Sequence, residues 1–217
     1  MRIGVKICGV TSPGAIEAAA EAGADAIGFV FAPSPRRLTP HEAARLARGT
    51  PPTLQRVGVF GSVVPVGVLE LTKLLALDLV QADAEACDRL DGLVPDARRL
   101  PVFHDAPGAG ARLEEFLART PGEKPLILFE GSVSGQGVRP DWGRAEQVAR
   151  RTRLVLAGGL TPENVGAAIL AVRPFMVDVS SGVESAPGVK DAARIRAFVM
   201  AVREAEERLV ESARGPT

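Results

Sequence analysis

Short apolar runs rich in β-branched residues recur along the chain, separated by longer stretches of Ala, Leu, Glu and Arg. They predict strands over 2–8, 26–31, 55–60, 77–81, 99–103, 125–129, 154–157 and 176–179, with centres 21–29 residues apart. Each interval has room for one strand, one helix and two short loops. Eight such units with no change of composition predict an α/β fold: a single closed (β/α)₈ barrel of parallel strands rather than an open sheet. Helix starts agree with this count. Thr39-Pro40-His41-Glu42 has the form of a capping box with proline in the first turn, Ser12-Pro13 opens the first helix, and Thr161-Pro162-Glu163 is expected to open the seventh. Segment 83–95 is acidic and poorly periodic, so strands four and five are the least defined. The expected organisation is one catalytic barrel over residues 1–205 and a charged helical extension or tail over 206–217.

Composition narrows the function classes. Basic and acidic residues balance at 26 each, which leaves no electrostatic footprint for nucleic acid or an anionic membrane. No apolar run approaches the roughly 18 residues of a membrane span, and no secretory signal stands out. Two cysteines, Cys8 and Cys87, are too few for a disulfide framework. The expected location is the cytoplasm.

A TIM barrel carries its chemistry on the loops that follow the strands, so the strand ends are the places to search. They hold Cys8, 33–37, Asp83, Glu130, Gly158-Gly159 and Asp178 with Ser180-Ser181-Gly182. Strand alternation puts Lys6 and Cys8 on one side, inside the barrel if Ile3, Val5 and Ile7 face the helices. Cys8 is open to two readings: a small buried packing residue, or a thiol that a neighbouring cation helps to ionise into a base. Gly158-Gly159 and Ser180-Ser181-Gly182 are equally open to two. Glycine makes tight turns, and it also lets a backbone approach a phosphate; the occurrence of the pair on adjacent loops favours phosphate. Residues 131–137 are glycine-rich without a P-loop or dinucleotide spacing. His41 and His104 lack metal-ligand spacing and are expected on the surface, and Cys87 is expected to be a packing residue.

Specific stretches go further. Lys6-Ile7-Cys8-Gly9-Val10-Thr11, Ser34-Pro35-Arg36-Arg37, Leu156-Ala157-Gly158-Gly159-Leu160-Thr161-Pro162-Glu163-Asn164 and Val177-Asp178-Val179-Ser180-Ser181-Gly182-Val183-Glu184 follow in the order of a known family. The chain resembles the phosphoribosylanthranilate isomerases of tryptophan biosynthesis. The resemblance implies an Amadori rearrangement of N-(5′-phosphoribosyl)anthranilate by acid–base catalysis, without cofactor or metal, in a monomer or homodimer whose partner is the small phosphorylated substrate. It implies Cys8 as base and the carboxylate ending strand six, Glu130, as acid. Arg36 and Asp178 are then substrate contacts. Gly158, Gly159, Ser180, Ser181 and Gly182, with Gly135 and Gly137 after strand six, complete the substrate-binding set.

Three positions depart from the family pattern. Glu130 stands where Asp is usual, Asp83 replaces a strand-four histidine, and Val138 replaces a polar residue. Two alternatives follow. One is a related histidine-pathway or bifunctional aminoaldose isomerase, although those enzymes have Asp where this chain has Cys8. The other is a phosphate-ligand-binding barrel that has lost catalysis.

Overall fold

The computed structural model describes residues 2–62, 67–119, 121–132 and 137–214. Strands and helices alternate as β1 (Gly4–Cys8), α1 (Pro13–Ala22), β2 (Ala26–Val30), α2 (Pro40–Arg48), β3 (Gln55–Gly61), α3 (Val68–Leu74), β4 (Leu79–Asp83), α4 (Ala84–Asp88), β5 (Arg99–His104) and α5 (Ala109–Ala118). The order continues with β6 (Leu126–Glu130), α6 (Trp142–Arg151), β7 (Arg153–Leu156), α7 (Val165–Val172) and β8 (Met176–Val179). A 3₁₀ turn (Ser181–Val183), a short antiparallel hairpin of β9 (Glu184–Ala186) and β10 (Val189–Lys190), and the long α8 (Ala192–Arg214) complete the chain. β1 to β8 are parallel and pair in sequence order, and β1 closes on β8, so the sheet is the expected eight-stranded barrel.

The alternation of side chains explains where the core sits. Ile3, Val5, Ile7, Ile27, Phe29, Leu154 and Val177 point outward and join the apolar faces of the helices in one continuous layer. The inward set (Ala26, Val57, Leu100, Val102, Leu128, Val155 and Ala157) fills the barrel itself. The helix starts at Ser12 and Thr39 form as expected; Thr39 and Glu42 make a reciprocal capping box.

Most strand ends shift by one or two residues from the sequence reading, and two of the differences have a visible cause. β4 begins at Leu79 rather than 77, because Leu75 to Asp78 are used in leaving α3: the Leu77 amide donates to Thr72 O, Ala76 adopts φ 46°, and the Asp78 carboxylate accepts from the Arg56 amide at 2.7 Å. Asp83 is therefore the last strand residue and not a loop residue. α7 begins at Val165 rather than at Thr161-Pro162. The Asn164 side chain accepts from the Thr161 amide and donates to Gly159 O, which holds 159–164 as a turn instead of a helical first turn.

Candidate active site

Continuing the inward parity of each strand to its C-terminal end gives one ring of residues: Cys8, Val30, Gly61, Asp83, Glu130, Ala157 and Asp178 all line a cavity of about 420 Å³ in the barrel mouth. Arg36, Gln81, Gly137, Gly158, Gly159, Ser180 and Ser181 line it too. One site thus gathers Cys8, Glu130, Arg36, Asp178, Gly158, Gly159, Ser180, Ser181 and Gly137. Gly182 lies behind it, its Cα face against Leu160 O, where a Cβ would sit at 1.9 Å. Gly135 lies outside the described residues.

At the β1 end, Lys6 is fully buried and its ammonium donates to Asp178 Oδ1 at 2.9 Å, across the seam where β1 closes on β8. Burial disfavours the Lys6 charge, but Asp178 and Cys8 outweigh it and raise the ammonium's pKa. Cys8 is buried as well. The paired residue on β2 is Gly28, and a Cβ there would stand 2.9 Å from Cys8 Sγ, so only glycine leaves the thiol its place. The expectation that a cation would ease Cys8 ionisation meets a larger opposing effect. Desolvation pushes the thiol up, with Asp178 adding to it, and the pulls of Lys6 and Lys190 do not reverse the shift.

Arg36 is fixed from the other side. Its Nε and Nη2 donate to the two Glu184 carboxylate oxygens at 2.7 and 2.8 Å, a bidentate pair in which both side chains are almost entirely buried. Lys190 Nζ donates to Glu184 Oε1 at 2.7 Å and to Ser180 O at 3.1 Å, while Ser180 Oγ donates to Cys8 O at 3.1 Å. Burial costs Glu184 some of its acidity, but Arg36 and Lys190 hold its pKa below the ordinary range. The β9–β10 hairpin is therefore a brace that ties Arg36, the Ser180 loop and the Cys8 backbone together. Glu184 ends the last of the quoted motifs and Lys190 lies beyond it, yet nothing in their spacing announced this role.

At the far side of the mouth, β5 and β6 pair His104 with Glu130. His104 Nε2 lies 3.4 Å from Asp83 Oδ1 and Nδ1 lies 3.5 Å from Glu130 Oε1. The hydrogen bond to Asp83 raises the imidazole pKa, helped by the Glu130 and Asp83 charges against partial burial. The surface assignment of His104 is thus corrected: it ends β5, half-buried, between two carboxylates. The signal was present, since inward Leu100 and Val102 lead by alternation to 104, and a strand ended at 103 stops one residue short. His41 is exposed in the first turn of α2. Cys87 is buried, with its thiol pushed up to about 12 by desolvation.

The remaining wall consists of loops. Gly158 and Gly159 have φ of 92° and 60°, and a Cβ on either would strike Val138 O or Gly137 O at 2.5 or 2.4 Å. Their glycine identity is required both by conformation and by the β6 loop stacked on them. Among the described residues, no group of three or more His, Cys, Asp or Glu is placed to hold a metal ion, and no helix is long and apolar enough to cross a membrane.

The family model described as N-(5′-phosphoribosyl)anthranilate (PRA) isomerase matches residues 5–201. The chain belongs to the PRA isomerase family. It is 43% identical over 211 residues to the N-(5′-phosphoribosyl)anthranilate isomerase of Trichlorobacter lovleyi, covering 94% of this chain and 99% of that protein. Against the Streptococcus pneumoniae enzyme it is 40% identical, covering 92% and 95%. Phosphoribosyl anthranilate isomerase from Thermotoga maritima superposes with a TM-score of 0.81 at 34% identity, over 93% of this chain and 99% of that one. A PRA isomerase solved in complex with reduced 1-(o-carboxyphenylamino)-1-deoxyribulose 5-phosphate superposes at 0.77 and 35% identity, over 93% and 99%. PRA isomerases are aldose–ketose isomerases of tryptophan biosynthesis, and TIM barrels carry their active sites at the C-terminal ends of the strands, the end at which the cavity described above lies.

Proposed function

We propose that Cys8 is the general base and Glu130 the general acid of an Amadori rearrangement that converts N-(5′-phosphoribosyl)anthranilate into 1-(2-carboxyphenylamino)-1-deoxyribulose 5-phosphate. The carrying observation is that a thiol on β1 and a carboxylate on β6 share one cavity with a fixed arginine and two glycine- and serine-bearing loops. Glu130 protonates the ribose ring oxygen as the ring opens to a Schiff base. Cys8 then takes the C2′ proton, and the enolamine tautomerises to the ketone. Both steps are proton transfers, so side chains suffice. Arg36, held through Nε and Nη2 by Glu184, meets the anthranilate carboxylate with Nη1, and Asp178 stands beside the anthranilate. Gly158, Gly159, Ser180, Ser181 and Gly182 form the phosphate grip, and Gly137, which lines the same cavity, and Gly135, outside the described residues, belong to the substrate-binding set.

The same reading places the chain in the cytoplasm as a monomer or homodimer; a Thermotoga maritima relative, solved as generated monomers, is described as dimeric. Residues 1–205 are the catalytic barrel and 206–217 a charged helical extension or tail, whose described part, to 214, continues α8. The test is turnover of N-(5′-phosphoribosyl)anthranilate by the purified chain, beside Glu130→Gln and beside the aminoaldose of histidine biosynthesis. Wild type should convert the first substrate and leave the second, and Glu130→Gln should not open the ring. An active Glu130→Gln would remove the acid assignment, and turnover of the histidine-pathway compound would make the enzyme bifunctional.

A further inference from the structure

A carboxylic acid that must deliver a proton near neutral pH has a supply problem, because an ordinary glutamic acid with pKa of about 4.3 is almost wholly ionised there. The surroundings of Glu130 supply an answer. β5 and β6 are neighbours in register, so the inward side chains of His104 and Glu130 emerge side by side at the mouth. Asp83, at the end of β4, reaches the opposite ring nitrogen. The imidazole is hydrogen-bonded through Nε2 to a carboxylate outside the proposed chemistry at 3.4 Å, while Nδ1, buried and without a hydrogen bond of its own, lies at an ion-pair distance of 3.5 Å from the carboxylate inside it, so a small turn of the ring or of Glu130 brings the two into hydrogen-bond contact. This is the order of a relay: one carboxylate orients the ring, the ring holds a proton, and the second carboxylate passes it on.

We propose that His104, oriented by Asp83, is a positioning residue that stores the proton Glu130 delivers to the substrate and restores it after each turnover. The inference rests on Glu130 being the acid. The Glu130 O–H bond breaks as the ring oxygen gains its proton and the ring C1′–O bond opens, leaving a carboxylate. The Nδ1–H bond of the imidazolium then breaks as the Glu130 O–H re-forms. The neutral imidazole recovers a proton from solvent water, matched by the proton that Cys8, having taken it from C2′, releases to solvent.

The charges around the ring favour this storage. From β4 it faces Asp83 and from β6 Glu130, both of which raise its pKa. The next residue, Asp105, is engaged by Arg144 and the Asp141 amide. The charged side chains of α4 and α5 that pack behind β5 are largely paired with one another, Asp88 with Arg112 and Arg119, and Glu115 with the same two arginines.

The chain has two histidines, so imidazole NMR can follow each one. His104 should titrate above the ordinary imidazole value of about 6.5, and lower in both Asp83→Asn and Glu130→Gln, while His41 stays unchanged. His104→Ala should lose kcat on the order of 100-fold with KM little changed, and added imidazole should restore part of the rate; imidazole should do nothing for Glu130→Gln. If His104→Ala does not fold, the titrations of the intact enzyme and of Asp83→Asn decide. A wild-type kcat in His104→Ala, or a His104 titration indifferent to both carboxylates, overturns the relay. An active Glu130→Gln instead overturns the acid assignment beneath it, so the two failures are distinguishable.

Discussion

Cys8 shows how a residue's surroundings decide its chemistry. The charges of Lys6 and Lys190 argue for a thiolate, but desolvation prevails and the folded thiol keeps its proton to higher pH than a free cysteine. A thiolate titration followed by ultraviolet absorbance, with Cys87→Ser to leave one thiol, should give a midpoint above the ordinary value of about 8.5. Lys190→Met should move it further up, because the variant removes a charge that favours the anion. The linkage has a definite sign. The unfolded chain loses its thiol protons above about pH 8.5 while the folded chain retains them, so this part of the stability is present below that pH and declines above it. At the other end of the acid–base pair, Glu130 carries one methylene more than the family's Asp. Glu130→Asp should therefore cost about 100-fold in kcat, since displacement of a reacting proton by roughly 1 Å has that scale; an unchanged kcat would show that the loop compensates for either length.

At the level of elements, loops make the site and strands aim it. Gly158 follows β7 at φ 92° with the Val138 carbonyl against its face. Gly158→Ala should destabilise the barrel by about 1–3 kcal/mol through strain and displacement of the β6 loop, measured by urea unfolding, and should raise KM. The element pattern was legible in the sequence because apolar runs and capping residues at 12 and 39 act locally. Registers and ends were less so. β4 shifted by two residues because the Asp78 side chain ties down the β3 backbone, a contact between residues 22 apart. α7 starts late because Asn164 closes a turn that the Thr-Pro signal alone does not announce. The same logic applies to the site. Cys8, Glu130 and Asp178 stand at strand ends and could be found by counting, whereas His104 was missed when β5 was ended one residue early. The Arg36–Glu184–Lys190 brace joins residues 148 apart in the chain, which no local pattern reveals.

Across the whole molecule, the closure of the barrel and the chemistry share a bond. Lys6 on β1 and Asp178 on β8 pair inside the seam where the sheet joins its own beginning, with side chains that are nearly unexposed. Removing one charge leaves the other buried without compensation, so Asp178→Asn should lose about 3–5 kcal/mol of stability in urea unfolding. Adding Lys6→Met to that variant should recover part of the loss, which a purely local effect of Asn would not. The barrel thus holds a cation and a carboxylate in its interior as part of its closure, and the thiol next to them inherits their field.

The proposed rearrangement turns on one proton abstraction, and the most direct measurement is turnover of N-(5′-phosphoribosyl)anthranilate by Cys8→Ser with product-analogue binding measured on the same sample. The expected result is loss of nearly all kcat, on the order of 100- to 10,000-fold for a general base, with binding retained. A Cys8→Ser enzyme that turns over at the wild-type rate would contradict it.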